Sequence, residues 1–182
     1  MVSTRRSVVT GASLLILGAT PDAPNAWRFE FPSIEEGTLR LADYRGKVML
    51  VVNTASFCSY TPQYRQLEAM HRDLAAKGLV VIGVPTQDFG QETDSNAEVK
   101  AFCELTYDVH FPMAGLSKVR GADAAPFYKW VREQRRWEPQ WNFAKVLIGR
   151  DGAIIGTYGS SDPPDRGTVR TALDAALRRP EV

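Results

Sequence analysis

The chain carries two cysteines, and their settings differ. Cys58 sits in Asn53-Thr54-Ala55-Ser56-Phe57-Cys58-Ser59-Tyr60-Thr61-Pro62, after an apolar β-branched run and before a helix start signal. A thiol at a helix N-terminus faces unpaired N–H groups and the positive end of the helix dipole. That setting lowers a thiol pKa, and the thiolate is the nucleophile. An inert buried Cys is the commoner fate of a lone cysteine. The polar loop of Ser56, Ser59 and Thr61 argues against full burial and for a reactive thiol. Spacing excludes two other chemistries. A dithiol exchange site needs a second Cys at position 61, which is Thr, and a Cys-x-x-x-Cys copper carrier needs one at 62, which is Pro. The two histidines, His71 and His110, stand far apart, so no metal-ligand spacing arises and no metal or cofactor is expected.

The elements that must hold Cys58 are legible around it. Lys47–Asn53 and Leu79–Val84 are continuous apolar runs, the pattern of strands buried on both faces. Between them Thr61 is a candidate cap, Pro62 a candidate first helical residue and Gly78 a candidate stop. Leu67, Met70 and Leu74 form one apolar face, read as core. This is a βαβ unit, so the two strands should be parallel with a right-handed crossover. Ala97–Leu105 and Pro126–Arg135 read as further helices. Val146–Ile148 and Ala153–Tyr158 flank an Asp-Gly turn and read as a hairpin, and Thr168–Arg179 reads as a closing helix. That order predicts a single-domain α/β thioredoxin-like fold, with a central mixed sheet flanked by helices.

Residues 1–26 read as an export signal, with 27–182 as the folded domain. Arg5-Arg6 precede a short apolar stretch, Ser7–Ala19, in the manner of a twin-arginine signal, and either Ala19 or Ala26 is a candidate end. The stretch is too short for a membrane span, which needs roughly 20 apolar residues. The expected location is therefore outside the cytoplasm, in the periplasm. Net charge is +1, with 22 Lys plus Arg against 21 Asp plus Glu, so nothing points to nucleic acid. The 44% hydrophobic and 24% charged composition is that of a globular protein and excludes a disordered or multi-span chain.

An ordered set of segments resembles the glutathione peroxidase family in its cysteine form. They are Gly46-Lys47-Val48, Asn53 to Tyr64, Gly83-Val84-Pro85, Phe89-Gly90-Gln91-Glu92, Phe102-Cys103-Glu104-Leu105, Phe111-Pro112 and Trp141-Asn142-Phe143. The resemblance implies reduction of hydrogen peroxide or of organic and lipid hydroperoxides, with Cys58 as the peroxidatic residue. It implies that Trp141 and Asn142 support the sulfur; both offer N–H donors that stay neutral. It further implies that Cys103 resolves the sulfenic acid of Cys58 as a disulfide, which a thioredoxin-like protein or glutathione then reduces. Without the resemblance, Cys103 reads as a small packed hydrophobe or half of a structural disulfide. The segment from Trp130 to Trp141 is short, which favours a monomer with an open site.

One departure falls at the site. The family's Cys-Asn-Gln-Phe-Gly is here Thr86-Gln87-Asp88-Phe89-Gly90, placing Asp88 where a catalytic Gln is expected. An ionised Asp cannot donate a hydrogen bond. Three arrangements are open: a protonated, donating Asp88; Gln87 turned in; or Asp88 pointing away. The departure also keeps a different class of function in view, an exported thioredoxin-fold redox sensor or binding protein with little turnover.

Overall fold

The computed structural model describes residues 25–180. Four strands form the central sheet: β3 (Val48–Thr54), β4 (Leu79–Pro85), β5 (Lys145–Ile148) and β6 (Ile154–Tyr158), in the order β4-β3-β5-β6. β3 and β4 are parallel, joined through α1 (Gln63–Leu74), as the βαβ reading requires. β5 runs antiparallel to both β3 and β6, so the sheet is mixed. The chain thus has the expected thioredoxin-like α/β architecture. A short hairpin of β1 (Glu30–Pro32) and β2 (Thr38–Arg40) precedes the sheet, unannounced in the sequence.

The alternation of side chains along β3 divides the core in two. Val48, Leu50 and Val52 point to one face, where Tyr64, Leu67, Met70 and Leu74 of α1 and Leu173 of α4 (Gly167–Leu177) pack. Met49 and Val51 point to the other, against Phe127, Trp130 and Val131 of α3 (Pro126–Arg135) and Phe31 of β1. Cys58 and Cys103 belong to the first face, Cys103 on α2 (Asn96–Tyr107).

One local reading is corrected. Thr61 does not cap α1: the helix begins at Gln63, its cap position is Pro62, and no side chain caps it. The Thr61 hydroxyl instead staples the preceding loop, accepting from Cys58 N–H (3.0 Å) and donating to the Ala55 carbonyl (2.9 Å). Asn25 and Ala26 also pack with the body that follows them. Asn25 caps a 3-10 turn, Trp27 N–H donating to its Oδ1. Ala26 is fully buried and donates its N–H to the Gly152 carbonyl. The rest of the proposed leader lies outside the described residues. Gly78 ends the α1 segment as expected, at φ +89°, a left-handed conformation that glycine adopts without a Cβ clash.

Candidate active site

The loop from β3 to α1 carries Cys58. Its backbone N–H groups bond back into the protein, and this overturns the expected exposure: Cys58 is only 6% exposed. Thr61 holds the Cys58 N–H. Ser56 N–H donates to Glu92 Oε1 (3.2 Å), and Phe57 N–H to the Gln91 carbonyl (3.0 Å). Tyr60 N–H points at Cys58 Sγ from 3.5 Å, so a backbone donor faces the sulfur. The apolar member of the loop, Phe57, turns outward and is 65% exposed.

The turn before β5 supplies Trp141 and Asn142. Asn53, fully buried at the end of β3, donates from Nδ2 to the Trp141 carbonyl (3.1 Å). Its own carbonyl accepts from Phe143 N–H (2.6 Å). Asn142 is buried, and its Nδ2 donates to Gln91 Oε1 (3.1 Å). Gln91 therefore bridges the two halves: its backbone carbonyl holds the Cys58 loop and its side chain holds Asn142. Trp141 is 41% exposed and stacks obliquely on Phe89, ring centroids 5.4 Å apart.

Asp88 and Gln87 face elsewhere. Asp88 Oδ2 accepts from Val119 N–H (2.6 Å) and Arg120 N–H (3.1 Å), which corresponds to the third of the open arrangements. Gln87 Nε2 donates to the Thr93 carbonyl and Asp94 Oδ1, closing its own exposed loop. The amide beside Asn142 is Gln91. The quoted Phe89-Gly90-Gln91-Glu92 segment contains it, but only the three-dimensional contact distinguishes it from Gln87. Glu92, next in the chain, caps Ser56 and Thr93, and burial raises its carboxyl above the usual range.

Cys103 lies on the buried side of α2 as a free thiol; Cys58 is free as well. Burial pushes the Cys103 thiol up to about 11, with the Tyr64 hydroxyl partly opposing. Between the two cysteine segments the rings of Phe57 and Phe102 meet at 6.2 Å. Behind Cys103 lies a cavity of about 300 Å³, lined by Val109, Phe111 and Met113 with Glu35 and Lys100 at its rim.

A thioredoxin-type sheet with a single cysteine in the loop ahead of α1 sets the chain apart from the dithiol Cys-x-x-Cys members of that fold. The chain belongs to the glutathione peroxidase family, whose model matches residues 26–132. It is 41% identical over 173 residues to glutathione peroxidase 7 of Bos taurus, covering 92% of each chain. It is 36% identical over 148 residues to hydroperoxy fatty acid reductase gpx1 of Synechocystis sp., covering 75% of this chain and 88% of that one. The solved structure of Trgpx in apo form superposes with a TM-score of 0.70 at 33% identity, covering 88% of this chain and all of that one. A thiol:disulfide interchange protein DsbE from Chlorobium tepidum, at 20% identity and TM-score 0.60, shares the fold. The protein is a peroxidase that reduces hydroperoxides at the expense of a thiol reductant.

Proposed function

We propose that Cys58 is the peroxidatic residue, that Asn142 and Trp141 attend its sulfur, and that Cys103 resolves it. The observation that carries this reading is the bridge through Gln91, which ties the Cys58 loop to the Trp141-Asn142 turn. In the proposed cycle the Cys58 thiolate attacks the outer peroxide oxygen. The O–O bond breaks, the alkoxide or hydroxide leaves with a proton, and Cys58 becomes a sulfenic acid. The Cys103 sulfur then attacks that sulfur, water leaves, and a Cys58–Cys103 disulfide forms. A dithiol protein of the thioredoxin type reduces the bond by exchange, returning two thiols. A resolving Cys favours such a dithiol over glutathione. The exposed rings of Phe57 and Trp141 give the site an apolar rim suited to organic and lipid hydroperoxides. The short segment between Trp130 and Trp141 supports a monomer.

The leader is proposed to direct export, by the twin-arginine route to the periplasm, with any cleavage falling ahead of Asn25 because Asn25 and Ala26 are built into the fold. Among the described residues no helix is long and apolar enough to cross a membrane.

The test is peroxide consumption by the full chain with a thioredoxin system or with glutathione. Cys58→Ser should reduce turnover to background with either donor. Cys103→Ser should keep the first oxidation of Cys58 but lose turnover with thioredoxin. Near-wild-type turnover in Cys58→Ser would overturn the assignment.

A further inference from the structure

Lys145 takes no part in the chemistry above, yet it is a fully buried cation at the base of the site. It stands on β5 between Val52 of β3 and Tyr158 of β6. An ammonium in such a place is costly unless its protons are well bound. Among the described residues it makes no ion pair with a carboxylate. Its Nζ donates to the Phe143 carbonyl (2.7 Å), with the Gly159 carbonyl next (3.4 Å). A methionine or leucine would fill the same sheet position without the desolvation cost, so the ammonium needs another reason.

Phe143 supplies one. Its φ is +62°, the left-handed region, which a bulky non-glycine residue occupies only when its surroundings impose it. Two hydrogen bonds do so here. Phe143 N–H is held by the Asn53 carbonyl, and Phe143 carbonyl by Lys145. The ring is wedged edge-on against Tyr64 at 5.3 Å. This reversal follows directly on Trp141 and Asn142. It sets the direction in which Asn142 reaches Gln91 and Trp141 reaches Phe89.

We propose that Lys145 is a positioning residue of the peroxidase reaction: its ammonium locks Phe143 in the left-handed conformation that presents Asn142 and Trp141 to the Cys58 loop. The proposal rests on Cys58 being the peroxidatic residue. The lock is also titratable. Burial brings Lys145 down to about 8, with Asp162 of the loop after β6 opposing. Of the other groups at hand, Tyr158 faces it from β6 and Tyr64 packs on Phe143 from α1. Both titrate above the ordinary tyrosine value because they are buried, and Val52 on the β3 side is apolar. Loss of the Lys145 charge weakens its grip on the Phe143 carbonyl and frees the turn. The rate of Cys58 oxidation should therefore fall as pH rises through 8. Ionisation of a thiol nucleophile has the opposite sign and raises the rate with pH.

The experiment follows tryptophan fluorescence of the reduced full chain after mixing with hydrogen peroxide, from pH 6 to 10. The wild type should show a falling limb near pH 8. Lys145→Met should react about 10-fold more slowly at pH 7, on the order expected for a misplaced supporting group, and should show no falling limb. A Lys145→Met protein that oxidises Cys58 at the wild-type rate with the limb intact overturns the proposal. A second measurement needs no variant: the side-chain amide resonance of Asn142 in the wild type should shift with a midpoint near pH 8. A resonance that stays fixed from pH 7 to 9 also overturns it. Cys58→Ser run in parallel separates the two readings. Retained turnover there defeats the site assignment, whereas a dead Cys58→Ser beside an unaffected Lys145→Met defeats the Lys145 role alone.

Discussion

At the scale of single residues, the side chains proposed to react are easier to read than those that place them. Cys58 and Cys103 announce themselves by type, and Trp141-Asn142 by their match to a family segment. Gln91, Asn53 and Lys145 do not, because their roles exist only as contacts across the fold. Gln91 and Asn142 are 51 positions apart in sequence, and Asn53 and Trp141 88 apart. Asp88 is the reverse case. Aligned position draws it toward the sulfur, but its Oδ2 accepts instead from two backbone N–H groups, at Val119 and Arg120. Gln91→Ala should then slow the first oxidation of Cys58 by about 10-fold or more, since Asn142 loses its anchor. Gln87→Ala, whose partners are Thr93 and Asp94, should leave that rate within twofold. Rapid-mixing oxidation of the two variants checks both. Equal rates for the pair would remove Gln91 from the site.

At the scale of elements, periodicity and punctuation located the long pieces and missed the short ones. β3, β4 and α3 lie where apolar runs and Pro126 put them, because each has enough residues to show a pattern. β1 and β2 have three residues each and one inward side chain apiece, Phe31 and Leu39, so no period exists to detect. α2 carries Cys103, the proposed resolving residue, and it is lightly anchored. Only Val99 and Cys103 of its 12 residues are buried, Leu105 is 87% exposed, and the cavity lies behind Cys103. A disulfide needs Cα atoms roughly 4.4–6.8 Å apart, and in the proposed cycle local opening of α2 is the motion that would bring Cys103 to that range. Ser95 resists that opening, since its hydroxyl caps Glu98 N–H at 3.3 Å. Ser95→Ala should cost α2 about 1 kcal/mol. If opening limits resolution, disulfide formation after one equivalent of peroxide should then quicken by about fivefold, while the Cys58 oxidation step stays unchanged. Mass spectrometry of quenched samples measures the disulfide. A slower or unchanged closure would mean that α2 does not gate the step.

At the scale of the whole molecule, the buried titratable groups oppose one another above neutral pH, and the signs can be worked out. Lys145 has a native value of about 8 against 10.5 when solvated, so between those limits the unfolded chain binds the proton and the native one does not. Stability therefore rises with pH across that window, by at most about 3 kcal/mol. Cys103 runs the other way. Its native value of about 11 exceeds the solvated 9.0, so its contribution is whole below pH 9 and is lost as pH climbs to 11, again by at most about 3 kcal/mol. Tyr64 and Tyr128, both fully buried and both raised by desolvation, add losses of the same sign once pH passes 10. From pH 8 to 9 only the Lys145 gain operates among these groups. From 9 to 10 it is offset by Cys103, from 10 the tyrosines add to the loss, and above 10.5 the losses stand alone. The urea midpoint should accordingly peak near pH 9 and drop steeply beyond 10.5. Lys145→Met should remove the rise between 8 and 9, and Cys103→Ala should move the peak toward 10. Midpoints measured at unit pH intervals from 7 to 11 test this, and a wild-type curve that declines steadily from pH 7 would show that the buried ammonium is not desolvated as its place on β5 requires.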